Sequence, residues 1–186
     1  FMSLKIIQDN NPIMSKKSEL VPLPLSAEDR STLDAMLDYL KKSQDEEYAE
    51  KHHIRGGVGL AAIQIGLLKR MFVVYIKRED GTEFAYQLVN PKIIETSIKK
   101  AALQNGEGCL SVKDDHQGLV HRNFKIGIKG YNALTDKEEF IYAKGYEAIV
   151  LQHEYDHLDG IFYYDRIDKN HPFEKLQLIL NYLNSF

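Results

Sequence analysis

One cysteine in 186 residues leaves no intramolecular disulfide to be made. That excludes a disulfide-stapled scaffold and fits a reducing compartment. No run approaches the roughly 20 consecutive apolar residues that a spanning helix needs, so no membrane partner is expected. Neither sign of charge is in excess: 24 basic and 27 acidic side chains give a formal net charge of −3. Short clusters such as Lys99-Lys100 read as solvated surface, and no direct nucleic-acid role is expected. Internal repeats, low-complexity tracts and long linkers are also missing. The stretch Phe1-Met2-Ser3-Leu4-Lys5 has no apolar core behind its charges, so no secretory signal is expected there. What is present is an apolar content of 44%, enough for a core, and the expectation is one domain over 1–186.

The most informative stretch is Gln152-His153-Glu154-Tyr155-Asp156-His157. On a helix, residues four apart project from one face, so His153 and His157 can share a divalent ion. Glu154 lies one step around, where a carboxylate can take the proton of a water whose pKa the ion has lowered. Tyr146, Ile149, Val150, His153 and His157 continue one apolar stripe, which places both imidazoles on the buried side. A satisfied pair of core histidines is the plainer reading. Two buried titratable rings beside a glutamate nevertheless need a partner, and a metal supplies one.

Catalytic sites of this type take three protein ligands and leave one position open. Cys109, in Asn105-Gly106-Glu107-Gly108-Cys109-Leu110-Ser111, is a candidate third ligand, its flanking glycines allowing close backbone approach. Read alone, it is as readily a small buried hydrophobe. A His/His/Cys set suits zinc, ferrous iron, cobalt or nickel on ligand softness. His116 and His121 are poor additions, because a fourth protein ligand would close the position that water needs.

A third segment, Gly57-Val58-Gly59-Leu60-Ala61-Ala62-Ile63-Gln64, also fits the dinucleotide fingerprint G-x-G-x-x-A, with Glu79 and Asp80 about 20 residues on. That fingerprint must follow a buried strand. Here the preceding run, Ala49-Glu50-Lys51-His52-His53-Ile54-Arg55, is polar and has no strand pattern.

Taken together and in order, Gly57–Gln64, Glu107-Gly108-Cys109-Leu110-Ser111 and Gln152–His157 resemble the three motifs of the peptide deformylases, and their spacing is similar too. The resemblance is to the insertion-bearing, Gram-positive-like branch. It implies an α+β fold with a central metal-bearing helix packed among mostly antiparallel strands, flanked by N-terminal and C-terminal helices. It implies that Cys109, His153 and His157 bind one divalent ion, ferrous in the cell, which nickel, cobalt or zinc can replace. Glu154 would be the general acid/base, with Gln64 and the Leu110 N–H donating to the formyl oxygen. Val58, Gly59, Glu107, Tyr146, Ile149 and Val150 are expected to contact substrate. The implied activity is hydrolysis of the formyl group from N-formylmethionyl nascent peptides, in a bacterial-type cytoplasm, near the ribosomal exit tunnel. The chain departs from the family after Ser111, where Val112–Val120 is more charged and lacks a proline common there, while Arg122 matches a family position. Two other readings are a zincin-type metalloprotease, which shares H-E-x-x-H but takes a downstream third ligand, and a non-catalytic metal-binding module.

The rest of the chain predicts the scaffold. An extended leader runs to about Leu25. Ser26 caps a helix with Asp29 as a short capping-box partner, and Leu33, Met36, Leu37 and Leu40 face the core. Met71–Ile76, Phe84–Val89, Lys92–Thr96, Lys99–Leu103, Phe124–Lys129 and Glu139–Tyr142 read as strands, with Asp80-Gly81 turning the first hairpin. The metal helix is expected from about Lys144 to Leu158, ended by Asp159-Gly160. A last helix is expected from Asn170 or His171, with Phe173, Leu176, Leu180 and Leu183 facing inward.

Overall fold

The unbroken apolar run from Met71 to Ile76 is explained by a strand covered on both faces, as seen in a computed structural model describing residues 4–181. The elements are α1 (Ala27–Ser43), α2 (Glu46–His52), β1 (Gly59–Ala61), β2 (Met71–Lys77), β3 (Glu83–Thr96), β4 (Lys100–Leu103), β5 (Arg122–Asn123), β6 (Lys125–Asn132), β7 (Lys137–Lys144), α3 (Tyr146–Leu158) and β8 (Leu178–Leu180). Alternate residues of β2 enter different cores. Phe72, Val74 and Ile76 join the cluster around α3, whereas Met71, Val73 and Tyr75 join Leu33, Met36, Leu37 and Leu40 of α1. That division follows from the period-two geometry of a strand.

The larger sheet has the order β1-β2-β3-β6-β7, antiparallel throughout. The smaller one runs β5-β4-β8, with β4 and β8 parallel. Helix α3 lies between them, touching β1, β2 and β7 of one and β4 and β5 of the other. It is therefore buried on nearly all sides, from Ala148 through Glu154 and again at Asp156, His157 and Leu158. This is the expected α+β architecture with its central helix.

Several local expectations hold with refinements. Ser26 Oγ accepts the Asp29 N–H at 3.0 Å, but the Asp29 carboxylate turns away to the Lys69 ammonium instead of closing a capping box. Gly81, at φ 87°, takes the left-handed position of the β2–β3 turn. Phe84–Val89 and Lys92–Thr96 are two halves of one strand, β3, whose register with β6 shifts between Val89 and Lys92. Asn90 at φ 52° and Pro91 mark that bulge, a place where a strand tolerates a missing N–H. Helix α2 was not foreseen from its polar sequence; Asp45 caps it, accepting the Tyr48 N–H.

The expected last helix is a correction. Residues 174–177 are irregular, Phe173 and Leu176 are exposed, and Leu178–Leu180 form β8. The apolar spacing suits a helix, but the open edge of β4 offers backbone partners instead. The Lys100 N–H meets the Gln177 side chain, and the Gln104 N–H meets the Leu180 carbonyl. Pairing of this kind overrides a short periodic signal. Leu183 lies outside the described residues.

Candidate metal centre and active site

Residues of α3 are aimed by ties at its start and at its middle. Gly145, at φ 63°, admits the chain from β7, and Gln152 pins the middle, exchanging hydrogen bonds with the Asn123 backbone. The helix thereby presents His153 and His157 toward the turn Cys109–Val112, which the Val112 N–H closes onto the Cys109 carbonyl at 3.0 Å. One ligand atom each from Cys109, His153 and His157 all fall within 4.8 Å of one another, and all three residues are buried. Cys109 Sγ is 3.4 Å from His157 Nε2.

This donor set fits a divalent ion. One soft sulfur and two imidazole nitrogens converge, and three protein ligands are the number that catalytic sites of this kind use. The polar atoms around them support the same reading: both Glu154 oxygens and His157 Nδ1 are buried with no hydrogen-bond partner among the described residues. Burial lowers the His157 pKa well below the usual value, assisted by the neighbouring His153. Its imidazole is therefore neutral and has a lone pair to give. At His153, burial pulls downward too, but Glu154 and hydrogen bonds to Cys109 and Glu107 outweigh it and raise the pKa to about 10. A cation in the cluster would displace that proton, since a ligating imidazole nitrogen must be unprotonated.

Glu154 has its carboxylate against Gly59 of β1, and only a glycine fits there. Burial is the main cause that raises its pKa to about 7, against the attraction of His153 and Arg122. A carboxyl group balanced near neutrality can both accept and return a proton.

Gln64 sits in a single 3-10 turn, Ala62–Ile65, directly after β1. Its Oε1 accepts the Ala61 N–H at 2.9 Å. Its Nε2 is thereby pointed at Ser111 Oγ, 3.1 Å away, and at Cys109 Sγ, 3.6 Å away. The first and second motifs thus meet through this amide. Leu110 follows Cys109 in the turn and packs its side chain on Gly57, while its carbonyl accepts from Gln8 Nε2. Val58, Tyr146, Ile149 and Val150 share one apolar cluster with Cys109.

Glu107 is buried, and both of its oxygens have partners within the protein. Oε1 accepts from His153 Nδ1 at 2.9 Å, and Arg122 spans the pair through Nε and Nη2 at 2.7 and 3.0 Å. Arg122 also donates to Asp156, which Arg166 holds from the other side. Burial would raise the Glu107 pKa, but Arg122 and His153 bring it below the ordinary carboxylate range. Such an anion fixes the tautomer and direction of a ligating histidine. In the sequence Arg122 is only a match to a family position, and nothing there links it to Glu107 and Asp156. The spacing of Asp156 on the motif helix, three residues after His153, was the available signal. His116 stacks on Tyr164 and His121 meets the Glu174 carbonyl, so neither belongs to the cluster.

Three converging ligands with a buried carboxylate beside them define a metal-dependent hydrolase. The comparisons narrow the class. The sequence profile of the polypeptide deformylase family matches residues 3–173, and the chain belongs to that family. It is 49% identical over 169 residues to a peptide deformylase of Macrococcus caseolyticus, covering 90% of this chain and 91% of the relative. It is 47% identical to peptide deformylase 2 of Geobacillus stearothermophilus, covering 91% of each. Among solved structures, a probable peptide deformylase from Synechococcus phage S-SSM7 superposes with a TM-score of 0.69 at 34% identity, over 89% of this chain and 100% of that one. A plant peptide deformylase gives 0.74 at 29% identity, over 91% and 83%. The third ligand lies upstream of the helix, in Glu107–Ser111, so the zincin-type reading is not favoured. No helix among the described residues is long and apolar enough to cross a membrane.

Proposed function

We propose that this chain hydrolyses the formyl group from the N-formylmethionine of newly synthesised polypeptides, releasing formate and a free N-terminus. The observation that carries it is the Cys109/His153/His157 cluster with the buried Glu154 beside it, whose oxygens have no hydrogen-bond partner among the described residues. Cys109, His153 and His157 would hold one divalent ion. When bound, that ion supplies the Lewis acidity that makes a water nucleophilic at neutral pH.

The remaining work falls to side chains and backbone. Glu154 accepts a proton from the attacking water and passes it to the amine nitrogen as the C–N bond breaks. Gln64 Nε2 and the Leu110 N–H donate to the formyl oxygen as charge gathers there. A donor of that kind contributes about 2.7–4 kcal/mol of transition-state stabilisation in other acyl-transfer sites. Val58, Tyr146, Ile149 and Val150 offer apolar surface for the methionine side chain. The backbone at Val58 and Gly59 pairs with the substrate in strand fashion. Val58 O already accepts from Tyr75 N, so the β1 segment is held extended to do so.

Ferrous iron is the proposed ion in the cell. A thiolate ligand on iron would be open to oxidation. The working site is the bacterial cytoplasm at the ribosomal exit, where formylated chain ends emerge. Reconstituting the protein anaerobically with iron, nickel or zinc and measuring formate from formyl-Met-Ala-Ser tests the reading. Fast turnover with iron or nickel and slow turnover with zinc is expected. No formate with any ion, from folded and metal-loaded protein, would overturn it.

A further inference from the structure

Arg55 has no part in the chemistry above, yet it makes three contacts with the loop that carries Cys109. Its Nη2 donates to the Cys109 carbonyl at 2.9 Å and its Nη1 to the Val112 carbonyl at 3.1 Å. The same head lies 3.6 Å from the Asp115 carboxylate. Cys109 and Val112 are the two ends of one tight turn. A single guanidinium therefore spans the turn that contains Leu110 and Ser111.

The anchor behind Arg55 is firm. Two residues on, the Gly57 N–H donates to Ser43 Oγ at 3.1 Å, and the Gly57 carbonyl accepts from Gln44 Nε2 at 2.9 Å. Ser43 ends α1 and Gln44 caps it. Gly57 also lies so close to Leu110 that a Cβ there would stand 2.8 Å from Leu110 Cδ1. A continuous line of contacts thus runs from the end of α1, through Gly57 and Arg55, to the cysteine turn.

We propose that Arg55 is a positioning residue for the reaction: its two hydrogen bonds set the 109–112 turn against β1, fixing where Cys109 Sγ and the Leu110 N–H stand relative to Gln64. The inference rests on the deformylase reading for its kinetic part. The two carbonyls are met by different nitrogens of one planar fork, Nη1 and Nη2, whereas a lysine offers a single nitrogen on a flexible stem, so lysine is not an equivalent. The Arg55 side chain is 40% exposed, so its loss should loosen the turn locally without unfolding the domain.

The test compares Arg55→Ala, Arg55→Lys and Asp115→Ala with the parent. Three readouts are taken: amide hydrogen exchange at 109–112, the thiolate absorption of cobalt-substituted protein, and kcat and KM separately. For Arg55→Ala, exchange at Leu110 and Val112 is expected to quicken at least about tenfold, with an altered cobalt–thiolate band. Its kcat should fall roughly tenfold while KM changes less than about twofold. Arg55→Lys should recover little of either, and Asp115→Ala should resemble the parent. Unchanged exchange and kcat in Arg55→Ala would overturn the proposal. So would full recovery by lysine, which would mean that charge alone acts. Exchange and the cobalt spectrum test the turn even if the parent releases no formate, which separates failure of this inference from failure of the activity.

Discussion

Gly59 and Glu154 share a space that only a hydrogen atom can divide: a Cβ on Gly59 would lie 2.6 Å from the Glu154 carboxyl carbon and 2.8 Å from its Cγ. The first motif and helix α3 are thus fitted to each other at the Glu154 carboxylate. Gly59→Ala must move either β1 or the carboxylate. A shift near 1 Å costs about a hundredfold in rate when it misplaces a reacting group. The expected result is a kcat lower by about that factor with metal content unchanged, read by steady-state kinetics and metal analysis.

Glu154 also links pH to stability. In the metal-free protein its pKa rises from 4.5 to about 7, chiefly through burial. The folded state therefore holds a proton that the unfolded state has lost across that window. This group's contribution to stability falls as pH climbs from about 4.5 to about 7 and is level above that. Glu154→Gln removes the penalty, on the order of 3 kcal/mol. In metal-free samples the variant should melt above the parent at about pH 8, and the gap should close near pH 4. Thermal melts at both pH values check this.

Glu107 orients His153, and Arg122 compensates Glu107. Glu107→Gln keeps the shape but not the charge, and metal affinity is expected to drop roughly 10–100-fold. Arg122→Ala should be worse for the fold than for the chemistry, because it leaves Glu107 without its buried counter-charge and Asp156 with one cation fewer. A loss of about 3–5 kcal/mol is expected. Competition with a chelating indicator measures the first, and urea denaturation the second.

Removing the ion should itself destabilise the domain. The three ligands come from the 109–112 turn and from α3, so metal joins two separated parts of the chain. Binding at a hundred times Kd contributes about 2.7 kcal/mol, or roughly 5–10 °C in a domain of this size. Melting with and without chelator should differ by about that amount in the parent and by much less in Cys109→Ala.

The Cys109/His153/His157 grouping was legible because its residues are written in local patterns. His153, Glu154 and His157 are fixed by helical spacing, and Cys109 and Gln64 by their motifs. Strands were legible where alternation or an apolar run was strong, as in β2. What was not legible depended on distant partners. The β8 segment pairs with the free edge of β4, and Leu176, Leu178 and Leu180 carry no sign of it. Glu107 gave no hint that its charge is consumed by Arg122 and His153, since both are remote in sequence. Arg55 looked like part of a solvated run, and only the folded chain shows two carbonyls waiting at its head.

The most direct test follows formate and free amine together, from formyl-Met-Ala-Ser, using iron-loaded parent and Glu154→Gln proteins with equal metal content. The expected result is stoichiometric formate and methionyl peptide from the parent, with no cleavage inside the peptide. The variant should be slower by at least about a hundredfold. Full turnover in the variant, or peptide-bond cleavage in place of formate release, would contradict the account.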